Sequence, residues 1–347
     1  MRGGQSGKGP SIPLLLWPAL AKGSPMLAEP NATDPVRAGF CAIIGFPNVG
    51  KSTLLNRLLG THIAAVSGKP QTTRDRILGV HHVDDGVGEP PLPAQIAFVD
   101  TPGMQDGHGP LRRYMRDEAV AAASDCDVVL LVVDANDYSG RVPERLDKPD
   151  AVLIANAMRA HPCIVAINKT DKVGKPELLP LIESWAKVAN TGIVVPICAQ
   201  SGEGVDALVR EIATRLPVGP ALFPADMVTD RPERFIAAEI IREQLYHQLG
   251  KELPYACAVQ IESWSERAHQ KDLAISAVIV VERESQKAIV VGRAGSRIRE
   301  LGIAARQALS ESMGKPVHLK LFVKVVDEWS RGDVSLRKLG YGNSGDV

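Results

Sequence analysis

The sequence lacks several features that would place it in a specialised class of protein. Only 4% of its 347 residues are aromatic, and its five cysteines are scattered without a Cys-x-x-Cys pair. This pattern disfavours structural zinc and a disulfide framework, and it predicts a reducing compartment. No apolar run approaches the roughly 18 residues that cross a bilayer, so we expect a cytoplasmic protein whose membrane contact is peripheral at most.

An excess of one charge is also missing. Lys and Arg number 40 and Asp and Glu number 40, which excludes a uniformly basic coat for nucleic acid but leaves room for a local basic face. The hydrophobic fraction of 45% is that of a globular protein. The length predicts two domains, each large enough to bury its own core.

Proline and glycine divide the chain. Residues 1–36 are rich in both and predict a disordered N-terminal extension, and four prolines between 217 and 232 mark a boundary. We therefore predict a first domain at 37–217, a linker at 218–232 and a second domain at 233–342.

The first domain alternates short runs rich in Val and Ile with helical patterns. Predicted strands lie at 40–45, 94–99, 128–133, 163–167 and 193–197, and predicted helices at 52–59, 111–123, 150–159, 177–189 and 205–216. This alternation predicts an α/β fold with a doubly wound, mostly parallel sheet. Residues 76–83 reach the next strand through a stretch at 85–93 rich in Gly and Pro, which predicts a hairpin and one antiparallel edge strand.

The second domain has a different order of elements. Helices are predicted at 233–249 and 296–313, and strands at 256–262, 274–282 and 317–326. The order helix, two strands, helix, strand predicts a smaller α+β domain.

The strongest motif lies between the first predicted strand and the first predicted helix. Eight residues fit G-x-x-x-x-G-K-[ST]: Gly45, Phe46, Pro47, Asn48, Val49, Gly50, Lys51 and Ser52. In such a loop, backbone N–H groups and the helix N-terminus hold phosphate oxygens, the lysine reaches the β- and γ-phosphates, and the hydroxyl ligates Mg²⁺. The sequence therefore predicts a nucleoside triphosphate site with Mg²⁺.

Two further motifs follow predicted strands downstream. They are Asp100, Thr101, Pro102 and Gly103 after residues 94–99, and Asn168, Lys169, Thr170 and Asp171 after residues 163–167. The first supplies a carboxylate for Mg²⁺ and a glycine amide near the γ-phosphate. In the second, Asp171 can accept hydrogen bonds from N1–H and the 2-amino group of guanine, which adenine does not offer. The predicted nucleotide is therefore GTP.

The order of these motifs resembles that of translation-factor-type GTPases, and of the Era family in particular. The resemblance spans about residues 37–342, including family-like stretches at 235–250 and 317–325. Gln71, Thr72, Thr73 and Arg74 resemble the family's first switch, in which a Thr closes on Mg²⁺. We favour Thr73 over Thr72 for this role, and the alternative is that the four residues form an ordinary polar loop. The resemblance also implies that Cys198 and Ala199 form the last base-contacting turn, largely through the backbone, with Cys198 where the family usually carries Ser.

Two residues bear on the route of hydrolysis. Met104 stands where many GTPases carry a Gln that orients the attacking water, which predicts slow intrinsic hydrolysis. The related family implies that Asn48 helps to hold a K⁺ ion, and we hypothesise K⁺-stimulated hydrolysis; the alternative is that Asn48 only caps the loop. Catalytic roles are predicted for Lys51, Asn48, Thr73 and Gly103.

A second ligand site is predicted in the second domain. Gly292, Arg293, Ala294 and Gly295 form a G-x-x-G loop before an amphipathic helix, and Arg297 adds charge. This arrangement resembles a KH domain of the bacterial type (type II), which clamps about four single-stranded nucleotides. Residues 287–338 include eleven basic and five acidic residues. Their net charge of +6 favours phosphate binding.

The resemblance to the Era family implies a GTP-hydrolysing switch that binds the 3′ region of 16S rRNA and acts in assembly of the small (30S) ribosomal subunit. It further implies a monomer that can associate peripherally with the inner membrane. Two alternatives stay open. One is a GTP-binding RNA scaffold with negligible hydrolysis, and the other is a tRNA-modification-type GTPase, which shares the Asn in the phosphate loop.

Overall fold

The computed structural model describes residues 35–69, 72–103, 109–138, 149–189, 193–250, 253–267 and 272–341. Residues 1–34 of the predicted N-terminal extension lie outside this part of the chain, as do Met104 and the predicted last residue of the second domain. All five cysteines are buried and free. No helix in the described ranges is long and apolar enough to span a membrane.

The first domain has the predicted α/β architecture. Its strands are β1 (Val36–Ile44), β2 (Ile77–Val87), β3 (Leu92–Asp100), β4 (Val128–Asp134), β5 (Cys163–Asn168), β6 (Val194–Pro196) and β7 (Val218–Gly219). Its helices are α1 (Lys51–Leu59), α2 (Pro110–Ser124), α3 (Pro149–Ala160), α4 (Lys175–Ala189) and α5 (Val205–Ala213). The sheet order is β2-β3-β1-β4-β5-β6, and β2 is the antiparallel edge strand that the hairpin pattern predicts.

Strand register brings the sequence motifs together at the carboxyl ends of the parallel strands. The strands β3, β1, β4, β5 and β6 run parallel, with Ile43 opposite Asp100 and Asp134 opposite Asn168. Both faces of the central strands are buried, because the helices cover them with two apolar cores. Loops that follow the carboxyl ends of the strands therefore meet at a single site.

The predicted linker packs along the first domain. Its start forms β7, which the sequence did not predict and which pairs antiparallel with β1. Further on, the Gln95 side chain donates to the carbonyl oxygen of Phe223 at 2.8 Å and accepts from its N–H at 2.9 Å, with the Phe223 ring buried. Val80 N–H donates to the carbonyl oxygen of Val228 at 2.8 Å. These contacts hold residues 218–228 against the sheet of the first domain.

The second domain has a three-stranded sheet. Its strands are β8 (Ala258–Arg267), β9 (Asp272–Val281) and β10 (Val317–Val325), and its helices are α6 (Glu233–Gln248), α7 (Glu284–Val291), α8 (Ser296–Met313) and α9 (Asp333–Lys338). The sheet order is β10-β9-β8, with β10 parallel and β8 antiparallel to β9. An apolar core lies between the sheet and helices α6 and α8.

Two helices of this domain were missed in the sequence. Helix α7 ends in a run of Ile and Val that is typical of a strand. The side chain of Gln286 nevertheless accepts hydrogen bonds from the N–H groups of Glu282 (2.8 Å) and Arg283 (3.1 Å). These bonds cap the first turn of the helix. Helix α9 is short, and its stability comes from packing: Leu336 is buried against Trp329.

The two domains share a small apolar core. Leu111 and Met115 of α2 pack in one cluster with Trp329, Leu336 and Tyr341, which follow β10. The Trp329 side chain is fully buried there. The segment after β10 therefore joins the second domain to the helix that follows the Asp100 to Gly103 motif.

Candidate nucleotide site and RNA-binding groove

The phosphate loop connects β1 to α1, and the eight motif residues run from this loop into the first turn of α1. Gly50 has a φ of 98°, and a Cβ there would lie 2.3 Å from the side-chain nitrogen of Asn168, so only glycine fits. Lys51 is buried, and its ammonium donates to the carbonyl oxygens of Gly45 (3.1 Å) and Phe46 (3.0 Å). The loop thus folds around the lysine at the N-terminus of α1, which is the arrangement that binds phosphate.

The three predicted Mg²⁺ ligands converge beside this loop. The hydroxyl oxygen of Ser52 lies 2.6 Å from that of Thr73 and 2.7 Å from Oδ2 of Asp100, and Thr73 Oγ1 lies 3.5 Å from the same carboxylate oxygen. The other carboxylate oxygen, Oδ1, is buried without a hydrogen-bond partner among the described residues. Two hydroxyls and a carboxylate with a free oxygen are a donor set that fits Mg²⁺.

Burial shifts both charged groups at this site. It raises the pKa of Asp100 to about 6 and lowers the pKa of Lys51 to about 8. At neutral pH both groups are still mostly charged, but water solvates them poorly. Phosphate beside Lys51, and a cation beside Asp100, would therefore be favoured more strongly than at an exposed site.

The rest of the second motif supports the loop. Thr101 donates its hydroxyl to the carbonyl oxygen of Ile43 at 2.8 Å, which ties β3 to β1. A Cβ on Gly103 would lie 2.9 Å from Cα of Pro47, so the backbone of Pro102 and Gly103 approaches the phosphate loop closely. Met104 lies outside the described residues.

The predicted base-contacting residues form one hydrogen-bonded unit. Asn168 accepts from Ala199 N–H at 2.9 Å and donates to the carbonyl oxygen of Val49 at 2.8 Å. It therefore links the base loops to the phosphate loop. The Thr170 hydroxyl donates to the carbonyl oxygen of Ile197 at 3.1 Å.

Asp171 is exposed, as a group that recognises a base must be. The Cys198 thiol donates to Asp171 Oδ1 at 3.2 Å. The sequence implied a largely backbone role for this turn, but the Cys198 side chain also contacts the carboxylate. It does so because the turn after β6 packs directly on the turn after β5.

One residue of this site was missed in the sequence. Asp134, at the end of β4, lies 2.5 Å from the ammonium of Lys169, which also donates to the carbonyl oxygen of Asn48 at 2.6 Å. Lys169 has a left-handed φ of 64° that turns its side chain along the site. The position of Asp134 at a strand end, paired in register with Asn168, is the signal that could have identified it.

The five predicted RNA-binding residues lie together at the start of α8. Gly292 has a φ of 73°, and a Cβ there would lie 2.6 Å from Cβ of Arg297. Ala294 and Gly295 also have positive φ, at 50° and 75°. Arg293 and Arg297 are exposed, and Arg297 donates to the carbonyl oxygen of Ile289 at 2.9 Å. The backbone is thus open to phosphates with two guanidinium groups beside it.

A groove of about 460 Å³ continues from this loop between α8 and β10. It is lined by Gly295, Ile298, Arg299, Gly302, Ile303, Arg306, Leu319 and Leu321. Ile303 is 53% exposed, so this part of the groove offers apolar surface to a ligand. The sequence identified the loop but not this apolar floor, because alternate residues of a strand and one helical face meet only after folding.

Both domains have known relatives. Residues 40–169 match the family model described as 50S ribosome-binding GTPase, and residues 252–330 match the KH domain model. GTPase Era from Geobacter metallireducens is 42% identical over 308 residues, which cover 89% of this chain and 99% of that protein. GTPase Era from Pseudomonas putida is 42% identical over 313 residues, which cover 90% of this chain and 98% of the relative.

This chain belongs to the Era family of GTPases. Two solved Era structures are similar over 88% of this chain and 99% of their own, at 39% sequence identity. One is an Era variant from Aquifex aeolicus bound to GDP·AlF4⁻, with a TM-score of 0.78. The other is Era in complex with MgGDPNP and nucleotides 1506–1542 of 16S ribosomal RNA, with a TM-score of 0.80. Membership confirms the predicted GTPase domain followed by a KH domain.

Proposed function

We propose that this chain is a switch protein that binds and hydrolyses GTP and binds the 3′ region of 16S rRNA through its KH domain. The observation that carries the proposal is the convergence of Ser52, Thr73 and Asp100 beside a buried phosphate-loop lysine. The same chain holds an exposed G-x-x-G clamp. The Era structures with a GTP analogue, with GDP·AlF4⁻ and with a 16S rRNA fragment support both halves of the proposal.

The reaction converts GTP and water to GDP and phosphate. Lys51 and the loop amides would hold the β- and γ-phosphates, and the Gly103 amide would lie near the γ-phosphate. The Asp171 carboxylate selects guanine, because adenine would leave it unpaired. Mg²⁺ at Ser52, Thr73 and Asp100 would neutralise charge on the phosphates. Positioning and charge are the main contributions that a protein makes to phosphoryl transfer.

We also propose that a K⁺ ion beside Asn48 stimulates hydrolysis. Asn48 has a left-handed φ of 64°, and its side-chain amide donates to the carbonyl oxygen of Gly68 at 3.0 Å. This contact brings an amide oxygen and a backbone carbonyl near the phosphate loop, and such oxygens are suitable ligands for a large monovalent cation. The same hydrogen bond to Gly68 is equally expected if Asn48 only caps the loop and holds no ion.

The finer biological role is part of the proposal. We infer action in assembly of the small ribosomal subunit, as a monomer, with a cytoplasmic location and peripheral association with the inner membrane. The rRNA fragment bound by the Era relative supports the first of these points.

Single-turnover GTP hydrolysis tests the proposal. Rates are measured in K⁺ and in Na⁺, with and without an RNA carrying the 3′ end of 16S rRNA, and with its reverse complement as the control RNA. We expect GTP turnover that rises in K⁺ and with the cognate RNA. Equal rates in the two salts would remove the K⁺ role, and binding of both ligands without turnover would indicate a GTP-binding RNA scaffold.

A further inference from the structure

Arg74 directly follows the predicted Mg²⁺ ligand Thr73, yet its side chain lies in the second domain. It is only 1% exposed. Its guanidinium has five acceptors: the carbonyl oxygens of Cys257 (2.8 Å), Tyr255 (3.1 Å) and Pro254 (3.2 Å), and the hydroxyl oxygens of Tyr246 (3.3 Å) and Tyr341 (3.4 Å). The rings of Trp329 and Tyr341 lie 5.6 and 5.7 Å from the guanidinium carbon. We call these acceptors and rings the arginine cage.

Every group of the arginine cage is neutral. Within the described residues Arg74 makes no ion pair, and the nearby buried Glu239 pairs with Arg242 instead. A buried guanidinium without a bonded carboxylate is costly. The five acceptors around its two terminal nitrogens offset that cost, whereas its Nε is buried without a hydrogen-bond partner among the described residues. The contact is therefore sensitive to small movements, as a reversible contact between domains must be.

Other residues of the same loop, which includes residues 62–69 and 72–74, contact the second domain as well. Glu243 of α6 accepts from Val66 N–H at 2.9 Å and lies 2.7 Å from the His62 ring nitrogen. The Lys69 ammonium donates to the carbonyl oxygens of Tyr246 and Leu249, where α6 ends. A cation at this place also interacts favourably with the helix dipole.

Thr73 and Arg74 are neighbours, with Cα atoms about 3.8 Å apart, so neither can leave its site without pulling on the other. In this structure Thr73 lies at the Mg²⁺ site while Arg74 lies in the arginine cage. We propose that Arg74 is a positioning residue that couples the two sites: the arginine cage holds Thr73 in place for GTP, and loss of the γ-phosphate loosens the docking of the RNA-binding domain. This inference rests on the proposed function and names the regulation of the same site.

Linkage gives the proposal a measurable form. If nucleotide and RNA bias the same docked state, the RNA dissociation constants with GDPNP and with GDP must differ, typically by about 5- to 150-fold. A residue that only stabilises the fold would change both constants alike. A coupling residue changes their ratio.

The test uses the full chain with four substitutions. Arg74→Ala removes the guanidinium, and Arg74→Lys keeps the charge but cannot make the forked set of hydrogen bonds. Tyr341→Phe removes one acceptor and keeps the ring, so we expect it to preserve the packing of this cluster. Arg113→Ala is the matched control, because Arg113 is an exposed arginine on α2. RNA affinity is measured with GDPNP and with GDP, together with hydrogen exchange of residues 253–257.

We expect the wild type and Arg113→Ala to show a ratio of RNA affinities that depends on the nucleotide, and stronger protection of residues 253–257 with GDPNP. Arg74→Ala should bring the ratio to within about twofold of one, with Arg74→Lys and Tyr341→Phe in between. Nucleotide-dependent protection of the phosphate loop should remain.

An unchanged ratio and unchanged protection in Arg74→Ala would overturn the inference. If Arg74→Ala unfolds, an unchanged ratio in both Arg74→Lys and Tyr341→Phe would overturn it equally. A wild-type chain that binds neither GDPNP nor RNA would instead refute the proposed function, so the two failures are distinguishable.

Discussion

The candidate nucleotide site and the candidate RNA-binding loop with its groove are built differently in this chain. At the nucleotide site, buried side chains from the ends of neighbouring strands hold one another: Asn168 bonds both the phosphate loop and Ala199, and Lys51 bonds two loop carbonyls. In the second region, Arg293 of the G-x-x-G loop is exposed, and the adjoining groove has an open floor that includes the apolar residue Ile303. The first site is organised before its ligand arrives, whereas the second offers charge and apolar surface to a flexible strand.

The two regions should differ in how they respond to substitution. A change in the organised nucleotide site disturbs several partners at once, so its effect should be large and confined to nucleotide chemistry. A change in the open groove removes one contact among several, so its effect should be graded and dependent on salt.

The largest expected effect comes from Lys51→Ala. It removes the buried charge that we propose holds the β- and γ-phosphates, so single-turnover GTP hydrolysis should fall by about 100-fold or more. RNA affinity without nucleotide should change little. Lys172→Ala, at an exposed lysine beside the base loop, is the matched control and should retain near wild-type turnover. Equal losses in the two variants would contradict the organised-site account.

A graded effect is expected from the double substitution Arg293→Ala and Arg297→Ala. Each guanidinium that neutralises a phosphate contributes about 0.7 to the slope of log affinity against log salt for single-stranded nucleic acid. Binding of the 16S 3′ RNA should weaken, and the slope should become shallower by about 1 to 2. GTP hydrolysis without RNA should be unchanged. An unaltered salt slope would show that phosphates do not contact this loop.

Cys198 provides a smaller test at the edge of the organised site. Its thiol donates to Asp171, so Cys198→Ala should lower GDP affinity by roughly three- to tenfold, the value of one modest hydrogen bond. Cys198→Ser supplies a hydroxyl donor and should retain affinity. Equilibrium titration with a fluorescent GDP measures both variants. If alanine and serine behave alike, only the backbone of this turn matters, as the family resemblance implied.

The smallest effect concerns pH at the contact between domains. The hydrogen bond to Glu243 raises the pKa of His62, with further support from the Ala64 backbone and Glu239 and some opposition from burial. Its stabilisation is therefore complete below the ordinary pKa of about 6.5 and is lost as pH rises through the higher folded value. The melting temperature of the wild type should exceed that of His62→Gln at pH 5.5, and the difference should shrink by pH 8.5. A difference independent of pH would contradict this contact.

Much of the nucleotide site could be predicted from the sequence, because its residues lie in short motifs fixed by contact with phosphate and base. Strand periodicity placed those motifs at one sheet edge, which the register of Ile43 with Asp100 confirms. The roles of individual residues remain predictions.

Contacts between segments far apart in the chain were not predictable. Asp134 carries no motif, and Arg74 looked like part of a polar loop until folding brought Tyr341 beside it. Helix α7 was missed because its Val and Ile favour a strand locally, whereas the cap by Gln286 and the glycine at 292 define a helix. The contacts of Asp134 and Arg74 and the helical state of α7 depend on residues that meet only in the folded chain.

The central claim is that one chain joins an organised GTP site to an RNA clamp so that each affects the other. The most direct measurement is the affinity of the wild-type chain for the 16S 3′ RNA with Mg-GDPNP and with Mg-GDP at one salt concentration. The account predicts specific RNA binding with dissociation constants that differ at least about fivefold between the nucleotides. Tight binding of both ligands with equal RNA affinities would contradict it.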